Sequence, residues 1–289
     1  MVWKRVFPPT GGGTMRRWMR LQTALIKNSF DSEHMVPGPI TLFDFSDRND
    51  AADADLISPK QEGGWRISDD EVIGGFSRAT FKLIRTKNDL ERYLLRKEEP
   101  VVVAPVVDNN KVDNNKDQTN KDGFVPFIRW KGTLDTRIGE IASVERSGFC
   151  AIKSPTYPFG GAALRKFNAL ELKVRSDGRQ YLINLHVDSM FPGDLYQAVL
   201  AIPPTIDGSD GSKTAFSKVI FPFKQFQHTS QGRVRVMQRI LDAGASVETV
   251  GITLMDGQDG DFELDLASIR GVNYYNEEIL GEDDDLAPY

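Results

Sequence analysis

Short segments in which apolar and polar side chains alternate strictly dominate the central and C-terminal parts of the sequence. Leu170, Leu172 and Val174 alternate with charged residues, and the same spacing recurs in Tyr181–Val187 and Phe262–Leu266. Successive side chains of a β-strand point to opposite faces, so this alternation indicates strands with one buried face. Turn-forming residues separate the segments, and the sequence therefore predicts an all-β sandwich or barrel.

The alternation also predicts which side chains point into the core. We expect an antiparallel two-sheet sandwich over residues 40–275 with these residues inward: Leu172, Val174, Ile183, Leu185, Ile252, Leu264 and Leu266. Lys218–Phe223 and Val250–Met255 are further predicted strands. Helix is predicted for two segments of this region, Asp89–Arg96 and Val234–Asp242.

The distribution of charge argues against nucleic acid as a partner. The chain has 36 Lys and Arg against 41 Asp and Glu, a net charge of −5. Six of the basic residues lie in residues 1–30, which contain no acidic residue, so residues 31–289 carry −11. A body with this charge repels phosphate backbones.

The sequence lacks the patterns that bring reactive groups together. Its one cysteine, Cys150, cannot form an intramolecular disulfide, and its three histidines are too scattered for zinc-ligand spacing. No phosphate-binding loop, dinucleotide fingerprint or nucleophile elbow occurs. His186 lies on an alternating strand, where a packed or surface histidine is the expected interpretation. The sequence thus predicts no enzyme activity, no metal and no cofactor.

The first 36 residues differ in character from the rest. Between Met15 and Lys27 the apolar side chains fall mainly on one side of a helix and four basic side chains on the other. A basic amphipathic helix without acidic residues is typical of a mitochondrial transit peptide, which is the interpretation we favour for residues 1–36. The alternative is a structural helix that lies on a membrane, a partner or the protein surface.

Residues 37–276 are predicted to form a single domain with one polar insertion. Residues 108–122 contain a single apolar residue, which predicts a solvated loop within the domain. The flanking segments, Val101–Val107 and Phe124–Trp130, both resemble strands. Residues 277–289 are predicted to form a flexible acidic tail.

The segment from Trp65 to Ser77 is the most distinctive motif of the chain. We expect Trp65 to be a buried anchor, Asp70 to be an exposed turn residue, and the pair Gly74–Gly75 to permit backbone angles that other residues resist. The favoured interpretation is a tight structural corner, and the alternative is a dedicated binding site. The candidate site residues are Trp65, Asp69, Asp70, Gly74, Gly75 and Ser77.

This motif resembles that of the complex I intermediate-associated protein 30 family, assembly factors of mitochondrial NADH:ubiquinone oxidoreductase. Asp70 takes the fixed aspartate position, Asp69 stands where the family has Ser or Asn, and Ser176 stands where a glycine is expected. The resemblance extends over residues 40–275. Further matches follow in order at Trp130–Leu134, Gly148–Ile152, Leu170–Tyr181, Ile220–Phe226, Val250–Ile252 and Gly260–Leu264.

The resemblance implies a jelly-roll sandwich of the galactose-binding type without catalysis. It also implies a chaperone-like role in building the membrane arm of complex I, from the matrix and peripheral to the inner membrane. Expected partners are membrane-arm subunits and other assembly factors, including an acyl-CoA-dehydrogenase-related flavoprotein.

Two alternatives to an assembly factor remain open. The protein could stay in mature complex I as an accessory subunit. It could also be a carbohydrate-binding module of the same fold, for which Tyr157, Phe159 and Tyr196 could supply exposed aromatic platforms.

Overall fold

The computed structural model describes most of the sandwich region and a helix that precedes it. The described residues are 18–26, 38–47, 50–51, 64–95, 124–139, 147–157, 161–164, 166–188, 194–204, 215–230, 233–241 and 246–274. The predicted strand Val101–Val107, the predicted insertion 108–122 and the predicted tail 277–289 lie outside these residues, so those predictions stay predictions.

Strands make up most of the described structure. The helices include α1 at residues 18–26 and α2 at Lys87–Leu95, and residues 50–51 are also helical. Turns of 3₁₀ type occur at Asp70–Ile73 and Phe223–Gln225. The strands are β1 Ile40–Asp44, β2 Arg66–Asp69, β3 Arg78–Ile84, β4 Phe127–Leu134, β5 Cys150–Lys153, β6 Ala162–Ala163, β7 Ala169–Ser176, β8 Tyr181–Val187, β9 Asp194–Leu200, β10 Ser217–Pro222, β11 Gln227–Ser230, β12 Arg233–Val234, β13 Ser246–Leu254 and β14 Gly260–Val272.

These strands form two antiparallel sheets. The first has the order β10-β7-β14-β4-β3, with β1 also paired to β14. The second has the order β12-β11-β9-β8-β13-β5-β2, with β6 also paired to β13. The chain crosses repeatedly from one sheet to the other, so neighbours in a sheet are mostly distant in sequence. The predicted all-β jelly-roll sandwich is confirmed, as are the predicted strands that correspond to β4, β10 and β13.

The core lies between the sheets and is filled by the side chains that the alternation predicted. All seven of the predicted inward residues are buried, with at most 1% of their surface exposed. Large aromatic side chains pack with them: Trp130 lies edge-on to Phe262, with ring centroids 4.8 Å apart. Burial of this many large apolar side chains is the main source of stability for such a domain.

Strand β14 is the centre of the first sheet. It has 13 residues and pairs with β4, β7 and β1. The register to β7 shifts between Leu266 and Ser268, where Ala267 forms a bulge and is itself buried. The bulge lets the strand bend, so that one part of β14 pairs with β4 and a later part with β1.

The outer face of the first sheet carries a buried ion network. The carboxylate of Asp265 accepts hydrogen bonds from Arg129 Nε at 2.8 Å and Arg175 Nη2 at 2.8 Å. Phe127, Phe216 and Tyr93 of α2 lie against these guanidinium groups. These aromatic rings keep water from the ion pairs. Each buried charge is therefore stabilised by its ion-pair partner and not by solvent.

Helix α1 packs onto the sandwich. Leu21 is buried with the main core, and Arg20 donates a hydrogen bond to the buried carboxylate of Asp50 at 2.9 Å. Whether residues 1–36 act as a transit peptide or as a structural helix stays a prediction. Among the described residues, no helix is long and apolar enough to cross a membrane.

The helix predicted at Asp89–Arg96 is confirmed as α2, but the one predicted at Val234–Asp242 is wrong for its described part. Val234 pairs with Thr229 in the short β11–β12 hairpin, and the chain continues without helix to residue 241. The side chain of Gln238 bonds to the backbone of His228 and holds the segment in this conformation. Val236, Met237 and Ile240 are exposed to solvent in this conformation, so the apolar spacing of the segment does not mark a buried helix face.

Candidate functional site

Trp65 is a core residue. It is 1% exposed, and its ring lies 5.3 Å from Phe43, 5.7 Å from Phe45 and 5.7 Å from Phe81, measured between centroids. Its indole Nε1 has no hydrogen-bond partner among the described residues. The expected buried anchor is therefore present, and its role lies in packing.

The turn after Trp65 carries the chain from the second sheet to the first. Strand β2 ends at Asp69, the 3₁₀ turn Asp70–Ile73 follows, and β3 begins at Arg78. Gly74 ends the turn in the left-handed region, with φ of 86°, and donates its N–H to Glu71 O at 3.1 Å. A residue with a Cβ is strained at this φ, so glycine is required at position 74.

The side chain of Asp70 is the centre of the motif and is fully buried. One carboxylate oxygen accepts the Ser77 N–H at 2.8 Å; the other accepts Ser77 Oγ at 2.9 Å, Ser147 Oγ at 2.7 Å and Gly148 N–H at 2.6 Å. Burial by itself raises the pKa of Asp70, but these donors outweigh it and lower the pKa below its ordinary value. The expectation that Asp70 is exposed is wrong, because the turn folds back over its own aspartate.

Ser77 extends the network to a further strand. Its hydroxyl bonds to Asp70, accepts the N–H of Asp135 at 3.0 Å, and lies 3.1 Å from the carbonyl oxygen of the same residue. Asp135 follows β4, and Ser147 and Gly148 precede β5. We call Asp70, Ser77, Asp135, Ser147 and Gly148 the Asp70 clasp. It joins two crossings of the chain between the sheets, from β2 to β3 and from β4 to β5.

Position 75 requires glycine because no space is available there for a side chain. A Cβ at this position would overlap the carboxyl carbon of Asp70 and the hydroxyl oxygen of Ser147. Of the pair Gly74–Gly75, Gly74 is the residue with a positive φ. The second glycine thus lets the backbone approach the clasp, which sequence reasoning did not foresee.

Asp69 does not take part in the clasp. It is half-buried at the end of β2, and its side chain makes no capping bond to the 3₁₀ turn. Burial raises the pKa of Asp69, and the nearby charges of Glu71 and Asp70 act in the same direction. The adjacent Cys150 is buried, and burial raises its pKa to about 12, so its thiol is not a nucleophile at neutral pH.

The motif therefore brings some of its predicted site residues together and separates others. Asp70, Gly75 and Ser77 meet in the clasp, whereas Trp65 lies in the core and Asp69 and Gly74 stand outside it. No carboxylate oxygen of Asp70 is left open to a ligand. These contacts favour the structural interpretation of the motif.

The turn at Asp177–Arg179 forms a second network of hydrogen bonds between distant segments of the chain. Arg179 donates to the carboxylate of Asp256 at 2.6 and 2.9 Å and to the carbonyl oxygen of Gly260 at 3.0 Å, which fixes the β13–β14 hairpin. Ser176, which replaces an expected glycine, accepts the Gly178 N–H at 3.1 Å. The serine thus fits the turn without strain.

The outer face of the second sheet presents a row of polar side chains that the sequence did not reveal. Gln197 donates to Asn184 Oδ1 at 2.7 Å, and Asn184 donates to Thr253 Oγ1 at 2.8 Å. Near this row, His186 Nδ1 lies 2.9 Å from Glu248 Oε2, with both side chains partly exposed. His186 is thus a surface histidine, as expected. The alternation along each strand places these residues on the outer face of the sheet. Which of them contact one another depends on the register between neighbouring strands, which the sequence does not show.

Two of the three aromatic residues that were candidates for carbohydrate-binding platforms are not exposed. Tyr157 is buried and donates its hydroxyl to Leu42 O at 2.7 Å. Tyr196 is also buried and stacks on His228. Phe159 lies outside the described residues. Within the described ranges, no group of three or more histidine, cysteine or acidic side chains could hold a metal ion.

Comparison with known proteins identifies the family. The family model described as complex I intermediate-associated protein 30 (CIA30) matches residues 109–266, more than half of the chain. The chain belongs to this family. The CIA30 match includes the ends of the Asp70 clasp at Asp135, Ser147 and Gly148.

Individual CIA30 proteins are similar to the chain at moderate identity. The probable mitochondrial CIA30 of Caenorhabditis briggsae is 33% identical over 162 residues, 53% of this chain and 44% of that protein. The mitochondrial CIA30 of Mus musculus is 26% identical over 209 residues, 68% of this chain and 56% of that protein. The chain thus spans about half the length of these curated relatives.

Solved structures with a similar arrangement of strands include a bacterial carbohydrate-binding module. The family 11 module of a cellulosomal cellulase from Clostridium thermocellum matches with a TM-score of 0.43 and 11% identity. The match covers 83% of this chain and 96% of the module.

Proposed function

We propose that this protein is a non-catalytic assembly factor for mitochondrial respiratory complex I that binds intermediates of the membrane arm. The observation that carries the proposal is its membership of the CIA30 family over residues 109–266. The partners are membrane-arm subunits and other assembly factors, including an acyl-CoA-dehydrogenase-related flavoprotein. The protein acts in the matrix, peripheral to the inner membrane.

The burial and protonation of potentially reactive side chains support a binding function over a catalytic one. The thiol of Cys150 is buried and protonated, and Asp70 is enclosed by its donors. His186 meets Glu248 on an open sheet face, where solvent screens both groups. Cys150 lacks an ionised thiol and Asp70 lacks an oxygen that is open to a reactant, so neither is available as a nucleophile or base.

We further propose that the Trp65–Ser77 motif contributes to binding only indirectly. The Asp70 clasp holds the two crossings between the sheets and thereby fixes the loops at that end of the sandwich. A partner would contact exposed residues near the clasp instead of the carboxylate itself. Carbohydrate binding is disfavoured because Tyr157 and Tyr196 are buried.

Deletion of the gene, followed by native-gel separation of respiratory complexes, tests the proposal. We expect loss of the membrane arm of complex I while the other respiratory complexes remain, with recovery when the wild-type gene is restored. Normal complex I in the deleted cells would refute it. Mass spectrometry of the gel bands separates the two remaining roles, because an assembly factor migrates with intermediates and an accessory subunit migrates with the mature complex.

A further inference from the structure

Residues 233–241, which we call the 233–241 loop, hold large apolar side chains in solvent. Val236 is fully exposed, Met237 is 86% exposed and Ile240 is 76% exposed, and Val234 is exposed beside them. Isolated exposed apolar side chains are ordinary on protein surfaces, but a contiguous group marks an interaction site. The loop is such a group.

The fold holds these side chains outward. Gln238 accepts the His228 N–H at 2.8 Å and donates to His228 O at 3.1 Å, and the N–H of Arg235 also bonds to His228 O at 3.1 Å. Leu241 closes the loop by packing into the main core. With both the middle and the end of the loop fixed, its apolar side chains cannot fold back onto the sheet.

Basic side chains alternate with the apolar ones along the loop. Arg233, Arg235 and Arg239 lie within residues 233–241, which contain no acidic residue although the chain as a whole carries −5. Arg235 also lies 3.7 Å from the buried carboxylate of Asp194. The loop is therefore a small cationic and apolar patch on an otherwise acidic protein.

We propose that the 233–241 loop inserts into the surface of a bilayer that contains anionic phospholipids. Val236, Met237 and Ile240 would enter the boundary between headgroups and acyl chains, and the guanidinium group of Arg233 would bind a lipid phosphate. The inference refines the proposed peripheral location of the protein and rests on that location for the identity of the membrane.

The shape of the loop favours lipid over a protein partner. A stable protein interface buries about 800 Å² on each side, which is more than a nine-residue loop with four apolar side chains can supply by itself. A protein partner would also need a pocket that matches the projecting side chains. A fluid bilayer adapts to them, and its phosphates match the interspersed arginines.

Vesicle co-sedimentation with the full chain tests the proposal. Vesicles of phosphatidylcholine with phosphatidylglycerol should bind the wild-type protein, and vesicles of phosphatidylcholine alone should bind it more weakly. Met237→Asp should weaken binding at least about ten-fold, because a carboxylate cannot enter the acyl boundary. Arg233→Gln should weaken it about five-fold, the effect of one basic residue near an anionic surface.

Matched controls make the result specific to the loop. Met255 is exposed in the β13–β14 hairpin and Arg78 is exposed on β3, so Met255→Asp and Arg78→Gln repeat the same chemical changes elsewhere. Both should bind vesicles within about two-fold of wild type. Val236→Asp provides a second variant of the loop, and its melting temperature, with that of Met237→Asp, should equal that of wild type because both side chains are exposed.

Three outcomes of the vesicle and co-purification experiments would overturn the inference. Wild-type protein that ignores anionic vesicles refutes it, and so does equal loss in Met237→Asp and Met255→Asp. If Met237→Asp keeps vesicle binding but loses co-purification with complex I intermediates, the loop is a protein contact and the lipid assignment is wrong. Vesicle binding does not depend on complex I, so cells without the gene that contain normal complex I refute the proposed function and leave this inference standing.

Discussion

Replacing Asp70 by alanine should destabilise the protein strongly, although the residue lies in a surface turn. The carboxylate accepts four hydrogen bonds of 2.9 Å or less, two of them from the backbone N–H groups of Ser77 and Gly148. The hydroxyls of Ser77 and Ser147 can rotate toward other acceptors, but the two backbone groups cannot. A buried donor without a partner costs about 1–3 kcal/mol, so two of them cost about 2–6 kcal/mol.

The assay is equilibrium unfolding in urea, with Asp69→Ala as the matched control. Asp69 is the preceding aspartate, is half-buried and makes no capping bond, so its replacement should change the free energy of unfolding by less than about 1 kcal/mol. Asp70→Asn should also destabilise, because its amide nitrogen would face the donors of Ser147 and Gly148. In thermal unfolding, a loss of about 3 kcal/mol corresponds to roughly 6–12 °C for a domain of this size.

The same residue predicts a dependence on pH. The pKa of Asp70 is lower in the folded protein than in the unfolded chain, where it is about 3.9. Its ionised form is therefore the one that stabilises the fold, so the contribution is complete above about pH 4 and is lost as the pH falls through the folded value. The difference between wild type and Asp70→Ala should accordingly be constant from pH 5 to 7 and shrink at lower pH. An Asp70→Ala protein as stable as Asp69→Ala at pH 7 would refute the clasp.

Three further changes test neighbouring parts of the structure by thermal or urea unfolding. Trp65→Ala removes a buried ring and should cost about 3–5 kcal/mol, and a loss below about 1 kcal/mol would show that the ring is not a core anchor. Gly75→Ala places a methyl group against Asp70 and Ser147 and should cost about 1–3 kcal/mol or more, and an unchanged stability would mean that the clasp moves without strain. Removal of residues 109–121 should change the melting temperature by less than about 5 °C, because a polar loop supplies no core, and a larger fall would indicate that it packs.

Alternation along the sequence was sufficient to predict strands β7, β8 and β14 and their inward side chains, but β1, β2, β3, β5 and β9 were not predicted. Leu172 and Ile183 are buried as expected because a half-buried strand imposes its period on the sequence wherever it occurs. The same kind of reasoning failed at Val234–Asp242, since apolar spacing alone does not show whether a core is available to cover. There, two hydrogen bonds between the Gln238 side chain and the His228 backbone help to determine the conformation, and no local sequence pattern predicts them.

Only part of the candidate site could be predicted from the sequence. The turn-forming residues of the motif and its glycine pair were recognisable, because their chemistry is local. The burial of Asp70 was not, because its partners Ser147 and Gly148 lie 77 and 78 positions away and are brought near by the crossing from β4 to β5. An aspartate in a turn resembles an exposed residue until the segment that covers it is known.

The position of β14 has a consequence for the order in which the chain can fold. This last described strand lies in the middle of the first sheet and supplies the hydrogen-bonding partner of β4, β7 and β1. A chain that emerges N-terminus first, from a ribosome or through a translocation channel, exposes the edges of those three strands until residue 272 has arrived. Such edges readily pair with other chains. The emerging protein therefore presents unpaired strand edges to other chains until its C-terminal strand is delivered.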